Sequence, residues 1–142
     1  MEIVVDASVV IKWFLKEEYR DQALNLRDDY IKNNLELTAP TILHFEVLNG
    51  IRYSKKEISS NLLENIGKSL LFYGIKLIPF DEKLLLETIK TTLENDITIY
   101  DAVYITLAKI KEINMYSADS RLIEKLKDPY KKYVKHIKFY PE

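Results

Sequence analysis

Four carboxylates, Asp6, Glu46, Asp101 and Asp119, stand in awkward places. Asp6 ends the β-branched run "IVV", and Asp119 follows "INMYSA", so both fall where a strand stops. Glu46 is embedded in "ILHFEVL" and Asp101 in "ITIYDAVYITLAKI", segments whose other residues are mostly apolar and belong in a core. Burying an unpaired carboxylate is expensive, so such positions imply a compensating cation or hydrogen-bond donors. Each acid also has an ordinary explanation. Asp6 and Asp119 fit N-caps of the helices that follow, Thr98 and Asp101 fit a capping box, and Glu46 fits the outward face of an amphipathic helix. The joint occurrence of four is less easily explained that way. With no cysteine and only two histidines, any metal must be held chiefly by oxygen. Carboxylates suit a hard cation, Mg²⁺ or Mn²⁺, one or two ions, and the natural chemistry of such a site is phosphodiester hydrolysis. Activity is then expected to be strictly metal-dependent.

Those residues are positioned by a chain of 142 residues, the usual size of one domain, so a single domain over 1–142 is expected. A net charge of -1 and a pI near 6.2 exclude a strong global positive field and leave room only for a local basic patch. Three glycines, Gly50, Gly67 and Gly74, are too few and too scattered for a glycine-rich phosphate loop. The start "MEIVVDASVV" is acidic and lacks a cleavage-site pattern, and no apolar run approaches the roughly 20 residues that cross a bilayer. A cytoplasmic protein without membrane attachment is expected.

Strand and helix signals alternate along the chain. "EIVVD" reads as the first strand, followed by a short helix in "VVIKWFLK" and an amphipathic helix from about Glu18 to Ile31. "LELTAP" reads as the second strand, with Pro40 placed just inside the start of the helix "TILHFEVLNGIRYS". The helix "SSNLLENIGKSLLFYG" is expected to end at Gly74, and "IKLIPF" to form the third strand. Asp81 caps "EKLLLETIKTTLEN"; a further helix spans about Ile99 to Glu112; "INMYS" is the fourth strand; "SRLIEKLK" stops before Pro129; "YVKHIKFY" reads as a final edge strand. The alternation implies an α/β fold with a mostly parallel sheet covered on both faces. In such sheets ligands bind outside the carboxyl ends of the strands, where strand order reverses.

The chain resembles the PIN-domain ribonucleases, most closely the VapC-type toxins of type II toxin–antitoxin systems. "IVVDASVVIKWFLKEE" is similar to the family's opening, "APTILHFEVLNGIR" to its Glu helix, "TIYDAVYITLAKI" to its Y-D-A-x-Y-x-x-L-A block and "YSADSRL" to its T-x-D-x-x-L block, in the same order from end to end. The resemblance implies a PIN-like three-layer α/β/α sandwich with a sheet of four to five strands. It implies Asp6, Glu46, Asp101 and Asp119 as catalytic, metal-binding residues, with Ser8 and Ser117 as hydroxyl support and Asn49 orienting Glu46, although Asn49 on a helix equally fits capping or solvent. Ser117 stands where Thr is commoner and keeps the hydroxyl. Arg121 stands where some relatives carry a further acid, which leaves the number of ions open. The implied activity is Mg²⁺-dependent hydrolysis of RNA by a homodimer that a VapB-like antitoxin blocks.

Lys12, Arg52 and Arg121 lie near the acids in sequence and are candidate phosphate contacts. Trp13 and Phe14 fit either core packing or a partner's docking region. Tyr100 and Tyr104 flank Asp101 and fit either base stacking or burial. His44 and His136 read as structural, since neither has a second ligand at suitable spacing. Two rivals remain: a PIN-like RNA-binding or scaffold module without nuclease activity, and an aspartyl-phosphate phosphatase, whose usual second Asp is replaced here by Ser8.

Overall fold

The computed structural model describes residues 1–141. Its elements run β1 (Glu2–Val5), α1 (Ala7–Phe14), α2 (Arg20–Ile31), β2 (Glu36–Pro40), α3 (Leu43–Ser54), α4 (Ser60–Tyr73), β3 (Lys76–Ile78), α5 (Glu82–Asn95), α6 (Ile99–Lys111), β4 (Met115–Ser117), α7 (Ser120–Lys125) and β5 (Val134–His136). The strands form one sheet in the order β3-β2-β1-β4-β5, and every pairing is parallel. β1 is central, so Ile3, Val4 and Val5 are buried, as an apolar run flanked by crossover helices must be. α6 packs on β1 and β2, α1 on β4, and α1 also meets α2 and α3, which gives helix, sheet and helix layers. Val9, Val10 and Trp13 of α1, Leu43, Val47 and Ile51 of α3, and Ile105 and Ala108 of α6 fill the core between them.

Local chemistry sets the boundaries. Ser59 and Asp81 cap α4 and α5 by accepting the N–H groups of Leu62 and Leu84, and α4 ends at Gly74, whose φ of 66° is open to glycine without cost. Three expectations shift. Pro40 does not open a helix: it closes β2 opposite Ile78, at the last rung of the ladder where its missing N–H is not required, and α3 starts at Leu43. α2 starts at Arg20 rather than Glu18, because Tyr19 adopts a left-handed φ of 63°. The last strand contracts to Val134–His136 between two 3₁₀ turns, Lys131–Tyr133 and Ile137–Phe139. Among the described residues no helix is long and apolar enough to cross a membrane.

Candidate functional site

β1 and β4 are neighbours at the point where the chain, having built the sheet out to β3, returns to the other side of β1. Their C-terminal ends deliver Asp6 and Asp119 into the crevice that such a reversal leaves. Asp6 does not cap α1, since its side chain makes no cap hydrogen bond. Its Oδ2 instead accepts the hydroxyls of Ser8 at 2.7 Å and Ser117 at 2.8 Å. Ser8 Oγ accepts the Ala118 N–H at 2.9 Å and Ser117 Oγ that of Asp119 at 3.1 Å. With a backbone donor on each oxygen, the single hydroxyl proton of each serine is left for the carboxylate, and the ends of β1 and β4 are tied together. Asp6 is only 6% exposed. Burial pushes its carboxyl up to about 6 against the pull of the two hydroxyls, and the Asp101 charge adds to the rise.

α3 presents Glu46 from its first turn. Burial pushes this carboxyl up to about 7, with the charges of Asp6 and Asp101 acting in the same direction. Glu46 Oε1 is buried without a hydrogen-bond partner, and so is the hydroxyl of Tyr104. The phenol opposes the rise of the Glu46 pKa, and burial, Asp6 and Glu46 raise its own, yet the two groups do not reach hydrogen-bond geometry. Asp101 is raised by burial and then by Asp119, while Thr98 opposes. The capping explanation holds for Asp119, whose Oδ1 accepts the Leu122 N–H at 3.0 Å; at Asp101 only half of the box forms, Thr98 Oγ1 accepting the Asp101 N–H at 3.1 Å, a bond that does not engage the Asp101 carboxylate. A capping role does not remove either carboxylate from the crevice.

The four acids therefore share one field, Asp119 acting on Asp101, and Asp101 on Asp6 and Glu46. Among the described residues, no group of three or more acidic or histidine side chains is tight enough to hold an ion as it stands. The donor set nonetheless fits a hard divalent cation. Every candidate ligand is an oxygen, and Glu46 Oε1 is a buried acceptor without a hydrogen-bond partner, the kind of atom a cation satisfies.

Two open clefts flank the acids. One, about 540 Å³, is lined by Glu46, Asn49 and Arg52 with Phe45 and Tyr100; the other, about 610 Å³, by Asp101, Asp119, Thr98, Arg121 and Lys125. Arg52 and Arg121 thus stand beside the acids. Lys12 lines neither cleft: it is buried and its ammonium meets Glu17 at 3.3 Å. Asn49 is exposed within α3, which continues to Ser54, and among the described residues no hydrogen bond joins it to Glu46. Trp13 is core, donating its indole N–H to Ala23 O at 3.0 Å, and Phe14 is half-buried. Tyr104 is buried and Tyr100 exposed. His136 holds a turn by accepting the Lys138 N–H, and His44 lines neither cleft. Sequence reasoning missed Phe45, placed there in the core but 77% exposed, and Lys125, whose four-residue spacing from Arg121 on α7 was the available signal.

Fold and site define a class, a three-layer, all-parallel α/β domain with a carboxylate crevice at its switch point. The family model described as PIN domain matches residues 3–128, and the chain belongs to that family. Among curated proteins it is 27% identical over 131 residues to Ribonuclease VapC3 of Pyrobaculum aerophilum, covering 88% of this chain and 95% of that one. Among solved structures it is similar to VapBC2 of Rickettsia felis bound to a promoter DNA fragment (TM-score 0.68, 12% identity, 96% of this chain and 98% of that one). It is also similar to a toxin–antitoxin complex from Klebsiella pneumoniae (TM-score 0.65, 14% identity, 95% and 97%). At those identities the likeness is one of fold.

Proposed function

We propose that the chain, as a single domain over residues 1–142, is a Mg²⁺- or Mn²⁺-dependent endoribonuclease and the toxin of a toxin–antitoxin pair. One observation carries this reading: four carboxylates from four separate elements act on one another at the switch point of a parallel sheet, with Glu46 Oε1 buried and unpartnered. The family and the name of the curated relative support the same activity. Asp6, Glu46, Asp101 and Asp119 would hold the ion or ions, which would supply Lewis-acid polarisation of a phosphodiester and activation of water. Ser8 and Ser117 orient Asp6 by fixing Oδ2, and by hydrogen bonding to the charged form they oppose the rise that burial imposes. The buried Tyr104 hydroxyl lies in the field of Asp6, Glu46 and Asp101. Arg52 and Arg121, one in each cleft, are set to hold RNA phosphates.

The toxin role is supported by similarity to toxin–antitoxin complexes, and it implies a VapB-like antitoxin that covers the crevice in a cytoplasmic pair. A homodimer is supported by exposed apolar side chains on α5, Leu85, Leu86 and Leu93, which a lone domain would leave in water. The test is RNA cleavage with and without Mg²⁺. Asp6→Asn and Asp101→Asn should each abolish it; cleavage that survives either substitution removes the mechanism, and a wild-type chain that cuts no RNA with Mg²⁺ or Mn²⁺ removes the nuclease in favour of a binding module.

A further inference from the structure

The two clefts beside the acids differ in kind. On the α3 side, Phe45, Asn49 and Arg52 recur at intervals of four and three, so one helical face lines the cleft, and Tyr100 of α6 stands across from it. Phe45 is 77% and Tyr100 63% exposed, both immediately preceding a crevice acid in the chain. Among the described residues none of the ion pairs uses Arg52, whose guanidinium lies 5.3 Å from the exposed Tyr53 ring. The cleft on the α7 side has no ring; beyond the acids it offers Arg121, Lys125 and Thr98.

We infer that the α3-side cleft is a nucleobase pocket and the α7-side cleft a backbone groove, so that the protein reads an unpaired base on one side of the cut and only phosphates on the other. The inference rests on the nuclease reading above and deepens it by dividing the substrate's contacts between the two clefts. Aromatic rings accept any base by stacking, a guanidinium holds phosphate or stacks, and the Asn49 amide, with donors and an acceptor, can discriminate base edges. A base inside an A-form helix is not presented to such rings. An antitoxin segment covering the crevice would meet the same walls, with Ile42, Leu48 and Leu63 beneath it, so a loss of partner binding with RNA handling intact is the outcome that decides against a base pocket. Glu46 belongs both to this cleft and to the acid cluster, which places the pocket next to the reacting phosphate.

The test is the fluorescence of short single-stranded RNAs carrying 2-aminopurine at each position in turn, titrated with the full chain bearing Asp6→Asn so that nothing is cut. One register should be quenched on binding. Phe45→Ala and Tyr100→Ala should restore the fluorescence and weaken binding about 5- to 100-fold, whereas Tyr100→Phe should do neither. Arg121→Ala should weaken binding and leave the quenching in place. In the otherwise wild-type chain, Asn49→Ala should broaden base preference on one side of the cut only. Three results overturn the pocket: no register quenched, quenching unchanged in the Phe45→Ala, Tyr100→Ala pair, or a pair that handles RNA normally and loses only a partner protein or self-association. Stacking is read without cleavage, so a failed pocket is distinguishable from a failed nuclease, which is decided by whether the wild type cuts RNA.

Discussion

Replacing Asp6 by Asn should make the metal-free protein more stable near neutral pH while abolishing its chemistry. Burial raises the Asp6 carboxyl from 3.8 to about 6. An acid whose folded pKa lies above its unfolded value binds more protons when folded, so its penalty is absent below the unfolded value, grows between the two and is complete above the higher one. At about 1.4 kcal/mol per pH unit, the charged Asp6 destabilises the fold by about 3 kcal/mol at pH 7.5. Asparagine removes that penalty and keeps a carbonyl oxygen for the Ser8 and Ser117 hydroxyls. Its amide N–H groups enter a buried place with no assigned acceptor, which costs about 1–2 kcal/mol. The net gain of about 1–2 kcal/mol corresponds to about 3–6 °C in Tm for a chain of this length. At pH 4 the carboxyl is neutral in the folded state, the gain disappears and only the amide cost is left, so the variant should melt below the wild type. Thermal unfolding followed by circular dichroism in EDTA at pH 4 and pH 7.5 reads both signs. A variant that is less stable at both values, by the same amount, would refute the claim that Asp6 is a buried charge held at a cost to the fold.

Other outcomes follow from the same geometry. Ser117→Ala removes one of the two hydroxyls on Asp6 Oδ2, so the acidic limb of the cleavage pH profile should move upward and the rate at pH 7 fall about 10-fold; an unchanged profile would show that the hydroxyl does not act through Asp6. Trp13→Ala empties a site packed against Tyr73 at 4.9 Å and removes the bond to Ala23, and should lower stability by about 3–5 kcal/mol in urea unfolding, with loss under 1 kcal/mol contradicting a core role. Arg121→Ala should weaken RNA binding evenly across sequences and reduce the slope of log K against log salt by about 1, and a change of sequence preference instead would move Arg121 to the base-reading side.

Much of this architecture was legible in residue pattern alone because the signals were local. Thr98, Asp119, Ser59 and Asp81 accept the N–H groups that their positions announce, and Gly74 takes the left-handed turn it alone tolerates cheaply. What failed depended on contacts distant in sequence. The β5 region reads as eight residues of strand, but only Val134–His136 find a partner, since β4 offers only Met115–Ser117 to pair with. Asp6 could be read as a cap or as a site acid, and the contact that decides between them comes from Ser117, 111 residues away. Phe45 looked like core because its neighbours Leu43 and Val47 are; helical geometry turns it to the opposite side. The four acids were visible as misfits, whereas their gathering into one field follows from the parallel order β2-β1-β4, which no single segment encodes.

Whether these carboxylates form one cation site is decided by anomalous scattering from crystals grown with Mn²⁺. A peak is expected at about 2.0–2.3 Å from an oxygen of Asp6 and of at least one of Glu46, Asp101 and Asp119, with the side chains drawn inward. A crystal of protein active with Mn²⁺ whose only peaks lie away from these four residues would contradict it.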